Sequence, residues 1–251
     1  TMLQRSACLL RACSSGRRHA STGRKVYVIG QGVVPVSRKQ EFSLRKSGAK
    51  AITAALADAG LETSAVGALY VGNMLAGMLS NQQHIGVLLA TEAGLSGVEA
   101  ATVEACCGSG GSALRWGYMS ILSGIHDTVV VAGVEAMTHV ELDPVTKGLA
   151  AASDWESEGS QGETFVSLNG ILMDLYIKQY GVDRESFLPF AMTAHQNALT
   201  SPHALLKKPV TADDYRASKV VREPIRLLDA SPICDGAAAV VLTSDPAVAA
   251  A

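Results

Sequence analysis

The stretch that decides the fold is Ala105-Cys106-Cys107-Gly108-Ser109-Gly110-Gly111-Ser112. An extended run, Ala100 to Glu104, leads into it, and a helical pattern leads out. Leu114, Tyr118, Ile121 and Leu122 recur at the spacing of one buried helix face. Strand, glycine-rich turn and helix, with a cysteine at the bend, hold a nucleophile still. The glycines are expected to let the backbone turn sharply and come close to a ligand. Free N–H groups at the helix start favour negative charge nearby, hence thiolate over thiol. This is the logic of a nucleophile elbow with sulfur in place of oxygen. The plain alternative is an inert, buried cysteine in a Gly-rich turn.

On either side of that turn, strands alternate with helices. Lys25 to Val36 reads as a first strand, Leu44 to Ala59 as a helix stopped by Gly60, and Ala68 to Gly72 as a short buried strand. Asn81 to Ala93 reads as a second helix, capped by Ser80 or Asn81 and ended by Gly94. Beyond the cysteine helix, Thr128 to Val134 is apolar without alternation, as expected for a strand covered by helices on both faces. Residues 139–223 are polar and helix-leaning, with helices near Leu168–Tyr180 and Arg184–Leu199 and no run resembling a strand. The segment Leu227–Pro232 returns the chain to the sheet, and Ala237–Thr243 is a last buried strand. The pattern predicts a layered α/β fold, a mostly parallel mixed sheet covered by helices and interrupted by a helical loop-domain insertion. The expected organisation is an α/β domain from 23–138 and 224–251, with the insertion at 139–223 on the substrate side.

Composition agrees with that class. The 251 residues are 48% hydrophobic and only 5% aromatic, with 24 glycines, which suits a core packed from small residues. With a formal net charge of −2 and no basic stripe, nucleic-acid binding has no support. No apolar run is long enough to span a bilayer.

The first residues differ from the rest. Thr1 to Gln40 contain no Asp or Glu, while Arg5, Arg11, Arg17, Arg18 and Arg24 are spread among Ser, Ala and Leu. Arg-rich, Ser-containing and acid-free is the composition of a mitochondrial transit peptide. Residues 1–22 are therefore expected to direct import into the matrix, with cleavage between His19 and Thr22; a disordered basic tail is the alternative. Of five cysteines, Cys8 and Cys13 fall in this segment, leaving Cys106, Cys107 and Cys234 with no C-x-x-C pair. A disulfide framework and a metal site are both disfavoured, and a reduced compartment with one working thiol fits better.

Several motifs in order resemble the N-terminal half of a thiolase. Cys107-Gly108-Ser109-Gly110 is similar to the segment around that family's acyl-accepting cysteine. Val131-Ala132-Gly133-Val134-Glu135-Ala136-Met137-Thr138 is similar to its A-G-G-x-E-x-M-S strand end. Pro232-Ile233-Cys234-Asp235-Gly236-Ala237-Ala238-Ala239 resembles its D-G-A-A-A strand entry, and Val71-Gly72-Asn73-Met74 its early G-N strand end. Val103 to Cys107 is most similar to the archaeal-type and sterol-carrier-type branches. Together the motifs are specific, although each alone is weak.

The resemblance implies acyl transfer between coenzyme A thioesters. Cys107 would be the nucleophile that carries the acyl group. Gly110 and Gly111 would contribute turn amides near the thioester, and Ser231 would lie near coenzyme A. It implies no metal and no permanently bound cofactor; coenzyme A and acyl-CoA are substrates. A homodimer or higher oligomer is expected. The family's second half supplies a histidine in Gly-His-Pro and a second cysteine in Cys-x-Gly. In this chain no histidine follows a glycine, and Cys234-Asp235-Gly236 sits inside the strand-entry motif, where it is read as a decoy. A further chain segment or a second polypeptide would then supply the missing groups. Two other readings stay open: a non-catalytic half that binds acyl-CoA within a larger assembly, and a relative of the ketoacyl or hydroxymethylglutaryl-CoA synthases. Glu135 is expected to brace loops, and Met74, Met78 and Met119 to fill core gaps or line an apolar acyl pocket.

Overall fold

A computed structural model describes residues 23–39 and 42–249. The expected transit segment, 1–22, lies outside the described residues. The elements that build the main sheet alternate as anticipated. They are β1 (Tyr27–Ser37), α1 (Leu44–Asp58), β2 (Ala68–Gly72), α2 (Ala76–Leu79), α3 (Ile85–Glu92), β3 (Glu99–Val103), α4 (Ser109–Ser123) and β4 (Thr128–Glu135). A helical excursion follows, with α5 (Leu142–Ala150), α6 (Phe165–Tyr180), α7 (Leu188–Ala198) and α8 (Ala212–Ala217). A small hairpin of β5 (Val220–Arg222) and β6 (Ile225–Arg226) follows it. The chain rejoins the main sheet as β7 (Asp235–Thr243) and runs into α9 (Pro246–Ala249).

The main sheet has the order β1-β7-β4-β2-β3. β2 is parallel to both β3 and β4, whereas β7 is antiparallel to β4 and β1. Two apolar layers result. On one face Ile52, Ala55 and Leu56 of α1 and Ile85 and Leu89 of α3 pack on Leu69, Val71, Val130, Ala132 and Val241. On the other, Ala113 and Ile121 of α4 pack on Ala68, Tyr70, Val129, Val131 and Leu242. β2 is buried at every residue because it lies between both layers and between two strands.

Three local expectations are corrected. The second helix does not start at Asn81 with Ser80 or Asn81 as its cap. Asn81 and His84 both take left-handed backbone, φ 51° and 58°, so the chain cannot settle into a regular turn until Ile85. The buried face of α4 is Ala113, Gly117, Ser120 and Ile121, one residue out of step with the expected one; Leu114 and Tyr118 are exposed. Gly117 sets this register, because a Cβ there would stand 2.7 Å from Val131 Cγ2. Finally, the polar region does contain strand, since Val220 pairs with Arg226.

Candidate active site

β3 ends at Val103, and the chain then passes through Glu104 and Ala105 into a single 3-10 turn, Cys106–Gly108, and α4. The residue that takes the bend is Cys106, with φ 50°. The glycines do not: none of Gly108, Gly110 and Gly111 has positive φ, and a Cβ on any of them would meet nothing within 4 Å. Their effect is to leave the turn bare. The Gly108 cap position offers no side-chain acceptor, so no side chain caps the first-turn N–H groups of α4.

Two polar side chains clamp the bend. The Glu104 carboxylate accepts the Cys106 N–H at 2.5 Å. Ser109 Oγ accepts from Ala105 N at 2.9 Å and donates to the Cys106 carbonyl at 2.6 Å, while Gly108 N donates to the Ala105 carbonyl at 2.9 Å. Ser109 is buried although its neighbours are open. The clamped turn presents Cys107 to solvent and leaves Cys106 half-buried. Partial burial, and after it the Glu104 carboxylate, pushes the Cys106 thiol above its ordinary value.

The turn rests on the C-terminal end of β2. A Cβ on Gly72 would fall 2.5 Å from Gly110 N and 2.6 Å from the Ser109 carbonyl carbon, so α4 starts in backbone contact with β2. Next to it, Asn73 Nδ2 donates to the Val134 carbonyl at 2.8 Å and to Glu135 Oε1 at 3.0 Å. Glu135 Oε2 accepts from Met74 N at 3.0 Å and Leu75 N at 3.1 Å. Glu135 is thus the brace between the ends of β2 and β4. Burial raises its carboxyl above the usual range, against the pull of these N–H donors. On the other side of β4, the buried Asp235 accepts from Met137 N, from Thr138 Oγ1 and, at 2.9 Å, from Thr138 N. A cavity of about 360 Å³ opens beside the cysteine turn, lined by Asn73, Met74, Met78, His84, Thr102 and Glu104 among others.

The other candidate residues are scattered. Ser231 is exposed, between a 3-10 turn at Leu227–Asp229 and β7. Cys234 is half-buried, and burial and then Asp235 push its thiol up. Among the described residues no histidine is hydrogen-bonded to either cysteine of the turn. His126 Nδ1 meets Ser120 Oγ at 2.7 Å, His139 Nε2 the Leu79 carbonyl at 3.0 Å, and His195 Nδ1 donates to the Lys208 carbonyl at 2.9 Å. Sequence reasoning missed the roles of Glu104, Ser109 and Gly72. The acid two residues before Cys106 and the serine three after it are the only local signals of the clamp.

A mixed sheet with helices on both faces, with one exposed cysteine where a strand meets a helix, defines a layered α/β fold. Residues 26–246 match the family described as "Thiolase, N-terminal domain", and the chain belongs to that family. It is 44% identical over 219 residues to an acetyl-CoA acetyltransferase of Methanothermobacter thermautotrophicus, covering 87% of this chain and 57% of the relative. An acetyl-CoA acetyltransferase of Methanocaldococcus jannaschii is 37% identical over 219 residues, with 87% and 55% covered. The chain therefore spans little more than half the length of these relatives. Among solved structures, an "Ltp2-ChsH2(DUF35) aldolase" superposes with TM-score 0.71 at 23% identity, over 89% of this chain and 56% of that one, a likeness of fold.

Proposed function

We propose that the chain is the N-terminal half of a thiolase-type acyltransferase and that Cys107 is its acyl acceptor. In this reading Cys107 Sγ adds to the carbonyl carbon of an acyl-CoA thioester. The bond from that carbon to the coenzyme A sulfur breaks, and coenzyme A takes up a proton and leaves as its thiol. Exchange between two thioesters needs little net energy, which suits a sulfur nucleophile. The first-turn amides, those of Gly110 and Gly111 included, stabilise the oxyanion. Ser231 is assigned a contact with coenzyme A. The acyl group then passes to coenzyme A or to an acetyl-CoA carbanion. The base and proton-moving groups for that step come from a further segment or a second polypeptide. The observation that carries the reading is the exposed Cys107 on a clamped bend at the start of α4.

Incubation with radiolabelled acetyl-CoA tests it. The expected result is acid-stable, hydroxylamine-labile label on Cys107, absent in Cys107→Ala, without turnover until the remaining half is supplied. No label on folded protein would overturn the reading and favour a structural half. Residues 1–22 are proposed to direct matrix import. A fluorescent protein fused behind residues 1–40 is expected in mitochondria, and cytosolic fluorescence would refute that assignment.

A further inference from the structure

Two cysteines stand side by side at the bend; the motif register points to Cys107 but gives no physical reason why its neighbour should not react. Cys106 is half-buried and Cys107 exposed, so burial by itself separates them weakly. The group that distinguishes them is Glu104. Its carboxylate accepts the backbone N–H of Cys106 at 2.5 Å, which seats a negative charge beside that residue. We propose that Glu104 is a positioning residue that selects Cys107 over Cys106. Its bond to the Cys106 N–H holds the left-handed bend that turns Cys107 outward, and the same bond keeps the carboxylate charge beside Cys106.

The physical basis is that the thiolate, not the thiol, attacks, so an anion against one of two neighbouring thiols lowers the reactive fraction of that one. Among the described residues Glu104 and then Cys107 oppose ionisation of Cys106, and His84 lines the cavity that Glu104 also lines. Ser109 holds the carbonyl side of Cys106 and Glu104 its amide side, so the two clamps act on one residue from opposite ends. The inference deepens the acyl-transfer reading and rests on it for its purpose, but the selection itself is measurable without any acyl-CoA.

The test is limiting iodoacetamide at pH 7.5 to 9.5, with peptide mass mapping of the two sulfurs, on wild type, Glu104→Gln and Glu104→Ala. Wild type is expected to carry label on Cys107 in large excess. In Glu104→Gln the amide oxygen still accepts the N–H while the charge is gone. Label on Cys106 should therefore rise about tenfold, and its pH midpoint should fall. In Glu104→Ala both effects are lost, so Cys107 labelling should also slow as the bend relaxes. Circular dichroism establishes that each variant is folded. If the alanine variant does not fold, the glutamine variant alone decides. An unchanged ratio and pH midpoint in folded Glu104→Gln would overturn the proposal. Selective labelling of Cys107 that depends on Glu104, with no acetyl transfer from acetyl-CoA, would leave the selection standing and refute the acyltransferase reading instead.

Discussion

At the scale of single residues, the placement of the candidate nucleophile depends on a backbone-to-backbone contact. Gly72 lets the first turn of α4 rest on the end of β2, with 2.5 Å between its missing Cβ and Gly110 N. Backbone cannot swing aside as a flexible side chain can. Gly72→Ala is therefore expected to cost about 3 kcal/mol, the upper part of the overpacking range. It should also lower the alkylation rate of Cys107, because α4 must lift. Chemical denaturation and thiol kinetics on the same variant check both, and an unaltered stability would show that the contact is slack. The candidate nucleophile was legible only through several motifs read together, since a lone cysteine in a Gly-rich turn is as well read as inert. The clamp was not, because Glu104 and Ser109 act through hydrogen bonds that no pattern of apolar residues encodes.

At the scale of elements, α4 shows where hydrophobic periodicity misleads. Its spacing predicts a helix, and a helix is there, but large side chains score as core while the observed core face is made of Ala113, Gly117, Ser120 and Ile121. Where a helix sits close to a sheet, small residues face inward and Leu114, Trp116, Tyr118 and Met119 are left outside. The order of strands and helices was readable because it depends on where apolar runs begin and end. The facing of α4 depends on the distance to β4, which the sequence does not state. The excursion offers a separate measurement on α8. Tyr215 is fully buried and its hydroxyl donates to Asp229 Oδ1 at 2.9 Å. Burial, then Asp229, pushes its phenol up to about 12. A raised pKa favours the protonated folded state, so this contribution is complete below the ordinary value near 10 and is lost as pH rises through about 12. Tyr215→Phe is expected to be less stable than wild type by about 1 kcal/mol at pH 8. The gap should close between pH 10 and 12, since only wild type has a phenol to ionise at that position. Urea unfolding at both ends of that range checks the sign.

At the scale of the whole molecule, burial is uneven. β2 is buried at all five residues, whereas only Gly170 is buried in the sixteen of α6. Local opening follows buried contacts, so amides of α6 are expected to exchange with solvent at least about tenfold faster than those of β2. Hydrogen exchange read by mass spectrometry decides it, and equal protection would mean that the excursion and the sheet open together.

The seam where that excursion leaves and returns has one more consequence. β4 and β7 are adjacent antiparallel strands with Glu135 opposite Gly236, and the Asp235 carboxylate fastens the outgoing chain at Met137 and Thr138 to the incoming one. Topologically, everything between them is the loop of an oversized β-hairpin. Shortened to a few turn residues, the same two strands would form an ordinary hairpin with the five-strand order intact. Helices α5 to α8 thus leave and rejoin the sheet through one seam, like a graft, with the sulfur and its clamp on the rootstock.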